Sequence, residues 1–172
     1  VRVSEEPRNP IAETQNLLRQ GTKVFAQRMR SDRVRRDSGK RAAPRPGILV
    51  IEDDPRMASM VWRQLQGYRG LDLNISNSLG AARRASSGDI PWDVVCVDLN
   101  LDGEDGAELV HELLLACFSG KIIIMTGLPE SAARERLGAD VGRVVIREKG
   151  DSTLAGWVVE QATEMAKKRL MR

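Results

Sequence analysis

The chain has 172 residues, of which 41% are apolar and 30% are charged, and its formal net charge is +3. This composition is typical of a globular protein with one sizeable core, and it excludes a low-complexity chain. No run approaches the roughly 18 uninterrupted apolar residues of a membrane span, so we expect no membrane partner.

The first 46 residues differ in charge from the rest of the chain. They carry twelve Lys or Arg against five Asp or Glu, a net of +7, whereas residues 47–172 carry fifteen against nineteen, a net of −4. Apolar side chains fall on one side of a helix over about 11–29, and an Arg-, Lys-, Pro- and Gly-rich run follows over about 33–46. We therefore predict a separate N-terminal extension, residues 1–46, made of an amphipathic helix and a basic arm.

The role of this extension leaves more than one interpretation open. A lone amphipathic helix needs a surface to lie on, which favours residues 11–29 as a dimerisation or docking element. The arm 33–46 is favoured as a solvated linker. Its charge would also suit nucleic-acid phosphates, but the segment lacks interleaved aromatic residues and a helix-turn-helix pair, so nucleic-acid binding is not favoured.

From residue 47 onward, short apolar runs alternate with amphipathic stretches five times, which is the pattern of a parallel sheet with helical crossovers. The predicted strands are residues 47–52, 71–75, 92–97, 121–125 and 144–146. The predicted helices are residues 55–65, 78–86, a third that follows Gly106 and stops near Gly120, 129–137 and 151–170. Continuous apolar runs indicate that the first and third strands are buried on both faces, whereas alternation in the second indicates lower burial. The predicted fold class is α/β, with a doubly wound, five-stranded parallel sheet in one domain over residues 47–172.

The two cysteines indicate a reducing compartment. Cys96 lies inside a predicted buried strand and Cys117 on a predicted helix, and their spacing matches no metal site. We expect both thiols to lie in or near the core. The first residues also lack the charged, apolar and small-residue order of a signal peptide, so we expect a cytoplasmic protein.

Acidic side chains follow the first and third strands where each strand ends. Glu52 and Asp53 come directly after the first apolar run, and Asp98 comes directly after the third. The carboxyl ends of parallel strands form the binding crevice of an open α/β sheet. If these strands are neighbours, the three carboxylates converge, and charges so close together need a cation. The pattern predicts a site for a hard divalent metal, most simply Mg²⁺.

Thr126 and Lys149 complete an ordered set of polar groups, because they follow the fourth and fifth strands. With these residues in this order, the chain from Gly47 to Arg172 resembles the receiver domain of bacterial two-component response regulators. The resemblance implies the flavodoxin-like topology of the sheet and identifies Asp98 as the phosphate-accepting residue. It also implies a Mg²⁺ site that adds the backbone carbonyl of Asn100 to the carboxylates, namely Glu52, Asp53, Asp98 and Asn100.

Phosphoryl transfer to a carboxylate depends mainly on alignment and on cations around the phosphoryl oxygens. By the resemblance, Asp98 attacks while Mg²⁺ neutralises charge, the Lys149 ammonium contacts one phosphoryl oxygen, and the Thr126 hydroxyl donates to another. Gly106 matches the glycine that lets the loop turn into the third helix. The resemblance also implies a histidine kinase or phosphotransfer protein as donor, and a downstream protein or a second copy of the chain as partner.

Several positions depart from the family pattern. Ile146 stands where the family usually has an aromatic residue, and Gly150 replaces the proline that commonly follows the lysine. Asp102 replaces another proline and is followed by two more acids, Glu104 and Asp105. These extra acids allow two interpretations, either a higher affinity for Mg²⁺ or a solvated loop.

Two further function classes compete with a phosphorylated signalling module. A phosphohydrolase with an aspartyl nucleophile usually needs a second carboxylic acid two residues later, and this chain has Asn100 there. A receiver-like scaffold that is never phosphorylated is disfavoured because Asp53, Asp98, Thr126 and Lys149 are all present. The module is therefore expected to be no enzyme beyond the phosphorylation and dephosphorylation of its own aspartate.

Overall fold

The structure, a computed structural model, describes residues 45–88 and 90–171. The predicted helix 11–29 lies outside the described residues, as does nearly all of the predicted arm 33–46. No helix in the described part of the chain is both long and apolar enough to cross a membrane.

Five parallel strands form one sheet in the order β2-β1-β3-β4-β5. The strands are β1 (Gly47–Ile51), β2 (Asp72–Ser76), β3 (Val94–Val97), β4 (Lys121–Thr126) and β5 (Val145–Glu148). The helices are α1 (Pro55–Leu65), α2 (Leu79–Ser86), α3 (Gly106–Leu115), α4 (Glu130–Leu137) and α5 (Leu154–Leu170). A 3₁₀ helix, Gly138–Arg143, follows α4. The predicted α/β class and the doubly wound, flavodoxin-like order are confirmed.

A short hairpin interrupts the crossover from β3 to α3. Asn100–Leu101 pairs in antiparallel fashion with Glu104–Asp105, and Asn100 lies opposite Asp105 in the register. We call residues 100–105 the β3–α3 hairpin. Gly103 supplies the turn with a φ of +73°, a conformation that suits glycine.

Alternate side chains of the central strands enter two separate apolar layers. Leu49 and Ile51 of β1 pack toward α2, α3 and α4, whereas Ile48 and Val50 pack toward α1 and α5. Every residue of β1 and β3 is buried. Each buried Val, Leu or Ile side chain in them stabilises the fold by about 1.5–3 kcal/mol, so the two strands form a rigid base for the residues that follow their carboxyl ends. β2 lies at the sheet edge and mixes buried with half-buried residues, as its alternating sequence predicted.

The predicted end of α3 near Gly120 is wrong, because the helix ends at Leu115. The amide of Phe118 donates to the carbonyl of Leu113 at 2.9 Å, and that of Cys117 donates to the carbonyl of Leu114 at 3.2 Å. This pair of bonds is a Schellman motif, in which the position usually held by glycine has a left-handed conformation. Cys117 occupies it with a φ of +54° and is exposed, so its predicted place in or near the core is also wrong, whereas Cys96 is buried as expected.

The start of α5 also differs from the prediction. The helix begins at Leu154 rather than at Asp151. The Asp151 carboxylate instead accepts hydrogen bonds from the backbone amide and the hydroxyl of Thr153, at 2.8 and 2.7 Å. Such a local turn uses backbone groups that a helix would otherwise use. Asp151 therefore lies before the helix and not in its first turn.

Candidate functional site

Three carboxylates meet at the carboxyl edge of the sheet. Oxygen atoms of Glu52, Asp53 and Asp98 lie within 4.8 Å of one another. They meet because β1 and β3 are adjacent with Ile51 opposite Val97, so that the residues which follow both strands emerge side by side. Glu52 and Asp98 are only 1% and 3% exposed, and Asp53 is half-buried. The predicted convergence of these acids is therefore present in the structure.

Lys149 reaches this cluster from the end of β5. Its Nζ lies 2.7 Å from Oε2 of Glu52 and 2.7 Å from Oδ2 of Asp98. Its backbone amide donates to the carbonyl of Thr126 at 3.0 Å, which ties the lysine loop to the end of β4. Burial by itself lowers the pKa of Lys149, but the hydrogen bonds and charges of Asp98 and Glu52 outweigh it and raise that pKa above its ordinary value. The lysine therefore stays charged and bridges the two buried acids.

The carboxylate of Glu52 is buried, which disfavours its charged form. Burial raises the pKa of its carboxyl above the ordinary value, even though Lys149 acts in the opposite direction. Its Oε1 accepts a long hydrogen bond of 3.3 Å from the amide of Asp54. Its Oε2 lies 2.7 Å from Nζ of Lys149, which is its partner in a buried ion pair. A buried carboxylate that shares a cluster with Asp53 and Asp98 requires positive charge nearby, which Lys149 supplies in part.

The donor set fits a hard divalent cation. Carboxylate and carbonyl oxygens are the ligands that Mg²⁺ and Ca²⁺ prefer. Oδ2 of Asp53 accepts from the amide of Asp102 at 2.7 Å, which holds this carboxylate in place. Oδ1 of Asp98 accepts from the amide of Asn100 at 3.1 Å, which fixes the plane of that carboxylate. Glu52, Asp53 and Asp98 are therefore held before any ion binds.

Thr126 lies at the end of β4, beside β3 in the sheet. The residue is buried, and its Oγ1 accepts a hydrogen bond from the amide of Leu128 at 3.1 Å. This bond uses an acceptor position and leaves the hydroxyl hydrogen to donate. The structure thus brings a hydroxyl, an ammonium and three carboxylates to one edge of the sheet.

Two of the three extra acids of the β3–α3 hairpin are helix caps, which neither sequence interpretation included, and the third, Asp102, is exposed. Oε2 of Glu104 accepts from the amide of Leu79 at 2.8 Å and so caps α2. Oδ1 of Asp105 accepts from the amide of Ala107 at 2.9 Å and caps α3. Each satisfies an amide that a helix N-terminus leaves without a partner. The Asp105 cap was visible in the sequence, directly before Gly106 and an apolar run, but the Glu104 contact depends on the tertiary fold.

Gly106 is required because a side chain at this position would overlap neighbouring backbone atoms, and not because the backbone angle demands glycine. A Cβ at this position would lie 1.9 Å from the carbonyl oxygen of Asp98 and 3.0 Å from Cα of Leu99. The amide of Gly106 also donates to the carbonyl of Leu99 at 3.1 Å. The first turn of α3 therefore packs directly on the backbone of the residue that follows β3.

Replacing Glu52 with Gln is expected to stabilise the metal-free protein near neutral pH by about 0.5–2 kcal/mol, the range that single charge-optimising substitutions reach. Because burial raises the pKa of Glu52, the folded state binds a proton more tightly than the unfolded state does. The stability that this proton supplies is fully present below the unfolded pKa and is lost as pH rises through the folded pKa. The advantage of the Gln variant should thus be smallest in acid and grow toward neutral pH.

Urea unfolding at a series of pH values measures this difference. With saturating Mg²⁺ the order is expected to reverse, because the wild-type protein keeps all three carboxylates for the ion. A Gln variant that is less stable than the wild type at neutral pH without metal would contradict the prediction.

No protein-family model and no curated protein matches the sequence. Solved structures do match it. A CheY-like response regulator receiver domain from Methanospirillum hungatei JF-1 aligns with a TM-score of 0.58 at 20% identity, over 72% of this chain and 98% of its own. A signal receiver domain of an HD domain-containing protein from Pseudomonas fluorescens Pf-5 aligns with a TM-score of 0.64 at 18% identity, over 78% of this chain and 98% of its own. The chain has the receiver fold.

Another receiver-fold neighbour is a response regulator from Burkholderia pseudomallei, solved with a phosphorylated aspartic acid, a calcium ion and citrate. It aligns with a TM-score of 0.57 at 21% identity, over 73% of each chain. At these identities the likeness establishes the fold, and the chemistry must be argued from the residues of this chain itself.

Two departures from the family pattern lie around the fifth strand of this chain. Ile146, at the usual aromatic position, is half-buried and packs against the layer formed by α2, α3 and α4. Gly150 follows Lys149 with a φ of +96°, which an L side chain rarely adopts. A proline, whose φ is fixed near about −65°, could not hold this conformation. The turn after the lysine is therefore built on a glycine and differs from a proline turn.

Proposed function

We propose that this chain is a phosphoacceptor receiver module of a two-component phosphorelay, which accepts a phosphoryl group on Asp98 with the help of Mg²⁺. The observation that carries the proposal is the position of Lys149, 2.7 Å from both Asp98 and Glu52 at the edge of a cluster of three carboxylates. A cation held between two buried acids is costly as a purely structural feature. It is useful where an anionic group must approach a carboxylate.

In the proposed reaction, a carboxylate oxygen of Asp98 forms a bond to phosphorus while the bond from phosphorus to the donor breaks and the donor leaves with that electron pair. The Asn100 amide, 3.1 Å from Oδ1, holds the Asp98 carboxylate in a fixed plane during this step. Lys149 is placed to stabilise the negative charge that the phosphoryl group brings, because its ammonium already contacts Asp98. The Thr126 hydroxyl has a hydrogen to donate to a phosphoryl oxygen.

The metal would be held by Glu52, Asp53, Asp98 and the carbonyl of Asn100. When bound it would neutralise negative charge on the acids and on the entering group. The convergence of three carboxylates, two of them buried, supports a cation at this place. The Burkholderia pseudomallei neighbour, whose structure contains a phosphorylated aspartic acid and a calcium ion, supports the same chemistry by likeness of fold.

The proposal extends to the partners of the chain and to its location. A histidine kinase or a phosphotransfer protein would supply the phosphoryl group, and the output would be a contact with a downstream protein or with a second copy of the chain. We assign no reaction to the chain beyond phosphorylation and dephosphorylation of its own aspartate. The two unpaired cysteines, Cys96 and Cys117, support a cytoplasmic location.

Replacing Asp98 with Asn tests the proposal. On incubation with Mg²⁺ and acetyl phosphate, we expect the wild-type protein to gain the mass of one phosphoryl group and the Asn variant to gain none, because the amide is no nucleophile. Asp102→Asn is the matched control, since Asp102 is an exposed acid in the hairpin that follows the same strand, and it should be phosphorylated like the wild type.

Intact-protein mass spectrometry with and without Mg²⁺ measures the phosphorylation of the wild-type protein and of both variants. Phosphorylation that persists in Asp98→Asn would place the acceptor elsewhere. A wild-type protein that takes no phosphoryl group under any condition would favour a receiver-like scaffold.

A further inference from the structure

The β3–α3 hairpin, residues 100–105, is tied to its surroundings at several points. The amide of Asp102 donates to Asp53 in the acidic cluster at 2.7 Å. Glu104 caps α2 and Asp105 caps α3, at 2.8 and 2.9 Å. The hairpin begins two residues after Asp98, and the Asn100 amide contacts the Asp98 carboxylate at 3.1 Å. Its conformation therefore decides where Asn100 lies relative to that cluster.

Arg136 adds a tie that comes from a different part of the molecule, the last turn of α4. Its Nε lies 3.1 Å from Oδ1 of Asp105, and its Nη1 donates to Oδ1 of Asn100. Asn100 and Asp105 are opposite each other in the hairpin register, so one guanidinium spans both strands of the hairpin. A planar fork of donors is suited to such a two-point contact, whereas an ammonium is not.

The rest of α4 is lightly attached. Only Ala133 and Leu137 are buried along the helix, and no side chain caps its N-terminus. Its other ion pair, between Arg134 and Glu130, is exposed and stays within the helix. Arg136 is therefore a polar link between α4 and the loop that leaves the acidic cluster.

We propose that Arg136 is a positioning residue, which holds the β3–α3 hairpin so that Asn100 and Asp98 receive a divalent cation and which thereby couples α4 to the occupancy of the acidic site. The inference rests on the proposed function, because it concerns the same site. Coupling of this kind is reciprocal, so that a bound cation also strengthens the attachment of α4.

Whether the removal of Arg136 weakens or tightens Mg²⁺ binding distinguishes a positioning role from an effect of its charge. Arg136 is a cation close to a cluster of acids, so if it acted only through its charge it would repel a metal, and its removal would tighten metal binding. If it acts by holding the hairpin, its removal loosens Asn100 and weakens metal binding. The substitution Arg136→Lys distinguishes the two effects, because a lysine side chain keeps the charge but loses the two-point contact.

Mg²⁺ titration by calorimetry, together with amide hydrogen exchange of residues 100–107 and 130–137, tests the inference on the full chain. We expect Arg136→Ala and Arg136→Lys each to bind Mg²⁺ about threefold to tenfold more weakly than the wild type, within the range by which residues away from a ligand modulate coupling. In both variants exchange should be faster in both segments, and Mg²⁺ should protect 130–137 less than in the wild type. Arg134→Ala is the control, because it removes the same charge from the same helix without touching the hairpin.

Tighter Mg²⁺ binding by Arg136→Ala, or wild-type binding by Arg136→Lys, would overturn the inference in favour of a charge effect. Equal weakening by Arg134→Ala, or unchanged exchange in the Arg136 variants, would overturn it as well. These measurements need no phosphoryl group. A wild-type protein that binds Mg²⁺ but is not phosphorylated would therefore overturn only the proposed function, whereas one that binds no Mg²⁺ would overturn both.

Discussion

Replacing Lys149 with Met is expected to reduce phosphorylation by acetyl phosphate about 100-fold or more, the scale of losing one electrostatic stabiliser of a transition state. The same substitution should destabilise the metal-free protein near neutral pH by about 3–5 kcal/mol, as when one partner of a buried ion pair is removed. Both effects have one cause, since Lys149 lies 2.7 Å from Glu52 and 2.7 Å from Asp98 and both acids are almost completely buried.

The loss of stability should depend on pH and on metal. The pKa of Glu52 is already raised by burial, and without the ammonium it will rise further, so protonation relieves the repulsion in mild acid. Mg²⁺ should also restore part of the stability at neutral pH, because it binds the folded state only. Urea unfolding near neutral pH and in mild acid, each with and without Mg²⁺, measures both effects.

Lys168→Met is the control for the loss of a lysine. Lys168 is exposed and pairs with Glu164 one helical turn away, so its removal should change the stability by no more than about 0.5 kcal/mol. A Lys149 variant that behaved like the Lys168 variant, or a deficit that neither acid nor Mg²⁺ relieved, would show that the buried acids are not held by this lysine.

The central strands and the acidic cluster could be predicted because one physical signal specifies each of them. A run such as Ile48 to Ile51, without polar alternation, must be buried on both faces, and acids directly after it can only emerge at the carboxyl edge of the sheet. Once β1 and β3 are neighbours, the meeting of Glu52 and Asp98 follows from the register. The predictions for residues 1–46 stay predictions.

The end of α3 and the contacts of the β3–α3 hairpin could not be predicted, because they depend on tertiary packing. Gly120 looked like the stop of α3, yet Cys117 takes the left-handed position, since Phe118 can then pack against the core and its amide can reach the carbonyl of Leu113. Nothing in the sequence around Arg136 indicates that it reaches Asn100, which lies 36 positions earlier in the chain. The surplus of acids in the hairpin was only a partial signal, because a half-buried acid such as Glu104 needs a partner whereas an exposed one such as Asp102 is solvated.

Replacing Gly106 with Ala is expected to destabilise the protein by about 3 kcal/mol, the upper part of the range for overpacking. Local propensity predicts the opposite sign, because Gly106 begins α3 and alanine is a better helix former than glycine by roughly 0.8–1 kcal/mol. We expect the cost of steric overlap to exceed the gain in helix propensity, since the new Cβ would lie 1.9 Å from the carbonyl oxygen and 2.9 Å from the carbonyl carbon of Asp98. Both are backbone atoms, so the overlap can be relieved only by moving the strand end or the helix.

That movement would also displace the Asp98 carboxylate, so weaker Mg²⁺ binding should accompany the loss of stability. Gly142→Ala is the matched control, because a Cβ there meets no atom within 4 Å and the backbone angle is ordinary, and it should leave both stability and metal binding nearly unchanged. Denaturant unfolding and Mg²⁺ titration of the two variants decide between the arguments. A stabilising Gly106→Ala substitution would mean that propensity governs the start of α3, and the close packing of this helix on Asp98 would then have no part in forming the site.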